Sequence, residues 1–254
     1  MTDASVLKRR TAGNENTDLL KLIALLFMIV DHTGAAFFPQ CLEMRLLGRI
    51  AFPLYAWCLA VGAEYTRNIW KYALRLLIVG VISQPVYVFA MRHQWMEWNI
   101  FATLLLGLLG VAGVKTRRLG SQIWAPALAI LISCAVDVDY GWKGVCFILL
   151  LYTVRGSRPA LSAFMIAFCL YWGQGTIAMR HFGSIPFPTQ VSFLPLAGEM
   201  LSALTRIQFY AVLALPLMAA PMRRGALRMP AWLGYALYPA HLAVIGLIRN
   251  GLPW

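Results

Sequence analysis

"LLKLIALLFMIVDHTGAAFF", Leu19 to Phe38, is apolar enough and long enough to cross a bilayer core, which takes about twenty residues in a helix. Two-thirds of the way along it carries Asp31 and His32. An ionisable residue at that depth costs on the order of 2.5 to 3.5 kcal/mol to insert, so it faces protein or water and marks a functional position by default.

The rest of the chain agrees with that start. Of 254 residues, 60% are hydrophobic and 13% charged, with mean hydropathy +0.68, a composition a soluble domain cannot solvate. The net charge of +12 sits in short basic clusters between apolar runs, as cytoplasmic loops of a membrane protein require, so no nucleic-acid partner is expected and membrane lipid is. Five cysteines, mostly inside apolar runs and without CxxC spacing, read as packing residues, and no metal is expected. The polar residues 1–18 form a cytoplasmic tail, and 19–254 a single transmembrane domain whose first run is too long for a cleaved signal core.

Apolar runs at 19–38, 46–63, 72–90, 100–114, 123–136, 142–154, 159–172, 207–220 and 232–248 predict an all-α, polytopic helical bundle of about nine spans. Counted with the N-terminus inside, fourteen basic residues lie on the cytoplasmic side, from Lys8, Arg9 and Arg10 through to Arg223, Arg224 and Arg228. Seven lie outside: Arg45, Arg49, Arg92, Lys143, Arg180, Arg206 and Arg249. The two-to-one bias predicts an N-in, C-out multi-pass protein. Pro53, Pro85, Pro216 and Pro239 read as helix kinks, Asn99 as the cap of the fourth span, and Gly173 to Ser192 as an outer loop or lid.

Lys21 and His32, eleven residues apart, share one helix face about 16 Å apart along the axis. Asp31 cannot meet its neighbour His32 and needs a partner on another helix; Arg49, a few residues into the second span, reaches a similar depth. His241, about 13 Å into the last span, supplies a second imidazole at that level. Each residue also has a purely structural alternative: Asp31 and Arg49 neutralising one another, a histidine hydrogen-bonded in the packing, and Lys21 snorkelling to headgroups. Glu64 and Arg75 lie close enough to the inner surface to snorkel to headgroups and stay outside this set. These residues define a buried, histidine-centred polar site without choosing a reaction.

Five ordered blocks do choose one. "MIVDH", "GRIAFPLYAWCLAVGAEYTRN", "WNIFATLLLGLLG", "DYGWKGVCFILLLY" and "YALYPAHLAVIG" resemble the TraX family, whose best-known member acetylates the N-terminus of F-type conjugative pilin. That family is similar to the wider transmembrane acyltransferases, in which a basic residue, ten intervening residues and a His mark the first helix, as Lys21 and His32 do here. The resemblance implies an inner-membrane acetyltransferase with His32 as catalytic base or transient acyl carrier, and Lys21 holding the phosphates of cytoplasmic acetyl-CoA. Arg49 or His241 would polarise the thioester carbonyl, and a pilin subunit would be the acceptor. The alternatives are a glycan or lipid hydroxyl as acceptor, an accessory protein of pilus assembly, and a small proton-coupled transporter using Asp31, His32 and Arg49.

Overall fold

The computed structural model describes residues 11–174, 176–179, 181–182, 185–186, 202–223 and 229–251. In chain order the helices are α1 (Thr17–Phe37), α2 (Leu42–Gly48), α3 (Ala51–Tyr65), α4 (Ile69–Met91), α5 (Ile100–Thr116), α6 (Ser121–Ala135), α7 (Gly141–Val154) and α8 (Arg158–Gly173). A 3-10 helix, Ile207–Ala214, then runs into α9 (Leu215–Ala219), and α10 (Ala231–Gly251) follows. A two-residue antiparallel pair joins His181–Phe182 to Ile185–Pro186.

Local chemistry starts these helices where they start. Asn16, Asn68, Asn99 and Ser157 each place a side-chain oxygen on a backbone N–H of the first turn of α1, α4, α5 and α8, satisfying donors the helix leaves open. Asn99 does more: its amide also donates to the Gly80 carbonyl at 2.8 Å and to Gln84 Oε1 at 2.9 Å, tying α5 to α4 in the interior.

Helix α3 is the hub, buried on nearly every side and packed against α1, α5, α7 and the 3-10 helix. Around it α4, α6 and α10 turn large apolar side chains outward, among them Leu74, Ile78, Ile82, Ile123, Leu131, Val244 and Leu247. A belt of that kind is stable against lipid, not water. Close helix contact inside the bundle relies on small residues: a Cβ on Gly113 of α5 would come within 2.5 Å of the Ser121 carbonyl on α6. Three helical stretches, Thr17–Phe37, Leu42–Tyr65 and Ile69–Met91, are long and apolar enough to span a membrane, and Ile100–Thr116, Ser121–Ala135, Gly141–Val154 and Ile207–Ala219 are shorter apolar helices. The protein is an all-helical membrane protein.

Three details differ from expectation. The second apolar run is not one straight helix: Arg49 and Ile50 donate to Leu46 and Leu47, three residues back, and this tight turn separates α2 from α3. Pro53 and Pro216 sit in the first turns of α3 and α9, where a missing N–H is tolerated, so of the four only Pro85 and Pro239 are interior; Pro126 lies inside α6 as well. Glu64 does not reach toward headgroups alone: Tyr152 donates to it at 2.9 Å and Arg155 at 2.5 Å, joining α3 to the end of α7. The five cysteines are unpaired, with Cys58 and Cys169 buried as packing residues and Cys134 facing outward. Much of the loop between Gly173 and Ser192 lies outside the described residues; the part at Ile177 and Met179 is hydrogen-bonded to Ile207 and Thr205.

Candidate functional site

Lys21, Leu25, Met28 and His32 recur at helical spacing along one stripe of α1, and that stripe lines two adjoining cavities. The first, about 120 Å³, has Asp18 and Lys21 at one end and is otherwise walled by apolar and tyrosine side chains of α1, α3, α4, α5 and α10. The second, about 190 Å³, is polar, with Asp31, His32, Arg45, Arg49, His93, Asp139 and Tyr140 in its wall. Met28, Tyr55, Ile100 and Tyr238 line both, so they form the partition between the two chambers.

Asp31 is the fixed point of the polar chamber. Arg49 Nη2 donates to both its oxygens, at 2.8 and 3.0 Å, and Arg45 Nη1 lies 3.0 Å from Oδ2 while also donating to the Asp31 backbone carbonyl at 3.1 Å. Two guanidinium groups therefore hold one buried carboxylate, which offsets the desolvation of all three. The close approach depends on Gly48, where a Cβ would stand 2.2 Å from Asp31 Cβ and Oδ1. Arg49 is otherwise engaged with the Arg45 carbonyl and Gln208, and its guanidinium lies 6.0 Å from the Tyr140 ring centre.

His32 meets His241 from the far end of the chain: Nδ1 of the first is 2.8 Å from Nε2 of the second. The ring planes differ by 4° and the centres are 5.1 Å apart, so the imidazoles meet edge to edge along the hydrogen bond rather than face to face. His241 Nδ1 lies 2.9 Å from the Leu237 carbonyl, one turn back on α10. A carbonyl only accepts, so in the neutral pair the hydrogen sits on His241 Nδ1, His241 Nε2 accepts, and His32 Nδ1 donates to it. That order leaves His32 Nε2 with its lone pair, on a ring that lines the polar chamber.

The opposite wall comes from the loop between α6 and α7. Trp98 donates to the Asp137 carbonyl at 2.8 Å and accepts from the Asp139 N–H at 2.9 Å, and Thr103 donates to the Asp139 carbonyl, which clips the loop to the start of α5. Tyr140 then takes a left-handed conformation (φ 65°) and stacks on Phe52 at 4.2 Å. Burial pushes the Asp139 carboxyl up to about 6, against the pull of Arg49. Among the described residues no cation pairs with it at ion-pair distance. His93, stacked on Tyr87 and bonded to Glu97, borders the same chamber.

The residues singled out from the sequence thus fall into two places. Asp31, His32, Arg49 and His241 come together in and behind the polar chamber, while Lys21 stands at the far end of the apolar one, 3.7 Å from Asp18. Three further members were not singled out. Arg45 counts as an ordinary outer-loop cation in the sequence, and Asp139 lies in a short polar loop, a setting normally solvated. Tyr238 reads as core; its spacing of three from His241 was the available signal.

A membrane-embedded bundle whose first and last helices contribute a coupled pair of histidines beside a buried aspartate–arginine cluster defines the class. The family model for the TraX protein matches residues 16–249, and the chain belongs to the TraX family. It is 27% identical over 243 residues to a protein of Dichelobacter nodosus described as "Probable fimbrial assembly protein FimC, serogroup H1", covering 89% of this chain and 92% of that one. It is 29% identical over 160 residues to "Protein TraX" of Escherichia coli, covering 59% and 62%. No solved structure matches the chain.

Proposed function

We propose that this protein is an inner-membrane acetyltransferase that moves an acetyl group from cytoplasmic acetyl-CoA to the N-terminal amine of a pilin subunit, with His32 as general base. The observation that carries the proposal is the hydrogen-bond order from the Leu237 carbonyl through His241 to His32, which leaves the lone pair on Nε2 of a ring that lines the polar chamber. A reacting amine is neutral in useful fraction near pH 7, its ordinary pKa being about 7.7 to 8.0, and an imidazole with a reference value near 6.5 takes the proton it releases.

The two chambers suit the two substrates. The apolar one, with Lys21 at one end, matches a neutral thioester arm whose phosphates stay with the cation at the mouth; the polar one matches an acceptor arriving from the other side. In this reading nine helical stretches cross the membrane, the N-terminus is cytoplasmic, and only the acetyl group passes the partition at Tyr55 and Tyr238. The fimbrial and TraX relatives favour a pilin over a glycan or lipid hydroxyl.

Intact mass spectrometry of pilin from cells carrying the wild-type protein or His32→Ala tests this directly. An acetyl-sized increment, present with the first and lost with the second at equal expression, is the expected result; equal masses would remove pilin as acceptor. The adjoining chambers also favour a second reading, a proton-coupled transporter, which predicts solute uptake with no acetyl-CoA consumed.

A further inference from the structure

The thioester carbonyl oxygen gains negative charge as the amine adds, and catalysis requires donors already aimed at that point. The two groups first considered for the task are engaged elsewhere. His241 has its N–H on the Leu237 carbonyl and its other nitrogen turned to His32, and Arg49 is bonded through all three nitrogens to Asp31, the Arg45 carbonyl and Gln208.

At the partition, however, two phenols are available. Tyr55 of α3 and Tyr238 of α10 line both chambers, where a thioester arriving through one must meet an acceptor arriving through the other. Tyr238 is almost wholly buried, at 3% exposure, and its ring stands edge-on to both His32 (centres 6.4 Å apart) and His241 (5.6 Å). Neither hydroxyl is among the sealed polar atoms of the interior, and among the described residues neither has a hydrogen-bond partner, so both open onto cavity space. A hydroxyl left without a protein partner inside a membrane bundle is costly unless something in the cavity takes its hydrogen bond.

We propose that the Tyr55 and Tyr238 hydroxyls form the oxyanion site, holding the acyl oxygen during transfer; this rests on the acetyltransferase reading above. The step balances as follows. The amine nitrogen bonds to the acyl carbon, the carbon–oxygen π pair moves onto oxygen against the two phenol hydrogens, and the nitrogen's proton passes to His32 Nε2. The oxygen pair then re-forms the carbonyl, the carbon–sulfur bond breaks, and the departing sulfur takes the proton from His32. The products are an N-acetyl amine and the free thiol of coenzyme A, with both tyrosines and His32 returned to their starting state.

The test uses the protein in lipid nanodiscs, acetyl-CoA and purified pilin, with wild type, His32→Ala, Tyr55→Phe, Tyr238→Phe, and Tyr171→Phe and Tyr210→Phe as controls that line neither chamber. Each partition variant keeps its ring and loses only the hydroxyl. We expect a kcat loss of about 10²- to 10³-fold for Tyr238→Phe and Tyr55→Phe, the usual effect of removing one oxyanion donor, with KM for acetyl-CoA little changed and the controls near wild type. If wild type transfers acetyl in a His32-dependent way while both partition variants keep kcat within about twofold, the oxyanion assignment falls and the acetyltransferase reading stands. A loss shared equally by the controls, or a rise in KM alone, overturns it too. If wild type shows no His32-dependent transfer, the underlying reading fails and takes the assignment with it.

Discussion

Replacing Arg49 with Met removes one side of the charge cluster while keeping most of the side chain's apolar length. Asp31 loses contacts at 2.8 and 3.0 Å and keeps the Arg45 contact, from the more exposed of the two side chains (29% against 13%). Removing one partner of a buried pair costs about 3 to 5 kcal/mol; the surviving Arg45 contact places this substitution near the lower end, at about 3 kcal/mol. Arg45→Met, which leaves the tighter pair intact, costs about 1 kcal/mol. At about 2 to 4 °C per kcal/mol for a chain of this size, the thermal midpoint in nanodiscs falls about 6 to 12 °C for Arg49→Met and about 2 to 4 °C for Arg45→Met. Equal shifts, or a larger one at Arg45, would show that Asp31 is not held mainly by Arg49.

Three further outcomes follow from the geometry. Gly48→Ala drives a methyl into Asp31 and lowers stability by about 1 to 3 kcal/mol, and combined with Arg49→Met it costs less than the two separately, because both act on one cluster; strict additivity in unfolding would contradict this. His241→Leu leaves His32 Nδ1 without an acceptor and lowers kcat for acetyl transfer by about 10- to 100-fold, whereas His241→Gln, which keeps an acceptor oxygen, loses less; equal losses would refute the ordering role. Because burial raises the Asp139 carboxyl from 3.8 to about 6, the folded protein binds that proton more tightly than the unfolded chain, and the resulting cost to stability grows as pH rises between those values and is complete above them. Asp139→Asn therefore raises the thermal midpoint at pH about 8, by up to about 3 kcal/mol of added stability, and leaves it little changed at pH about 4; a gain present only in acid would reverse the sign.

Which parts of this were readable beforehand depends on the range of the interaction. Helices were legible because membrane depth demands long apolar runs, and a polar residue such as Asn99 at the edge of a run announces a cap. The Asp31–Arg49 pair was legible because a buried carboxylate must find a cation at its own depth. The break at Arg49 was not, since Gly48 inside an apolar run leaves the chain a choice that only the packing of α2 against α1 resolves. Equal depth suggested that His32 and His241 were related, but the direction of their hydrogen bond depends on the Leu237 carbonyl, which no side-chain pattern encodes. Asp139 escaped notice because the backbone bonds to Trp98 that draw its loop inward leave no trace in residue type.

His32 and His241 stand 209 residues apart, on the first and the last helix. During synthesis α1 enters the membrane long before α10 is made, so the lone pair on His32 has no fixed direction until the final helix docks. The base proposed above would therefore be set by the completion of folding rather than by the appearance of the residue, and a chain halted before α10 lacks Tyr238 as well as His241 and carries the other members of the polar chamber without that direction. Two separately expressed pieces, one ending before α10 and one supplying it, would have to find each other in the bilayer before either had a directed base.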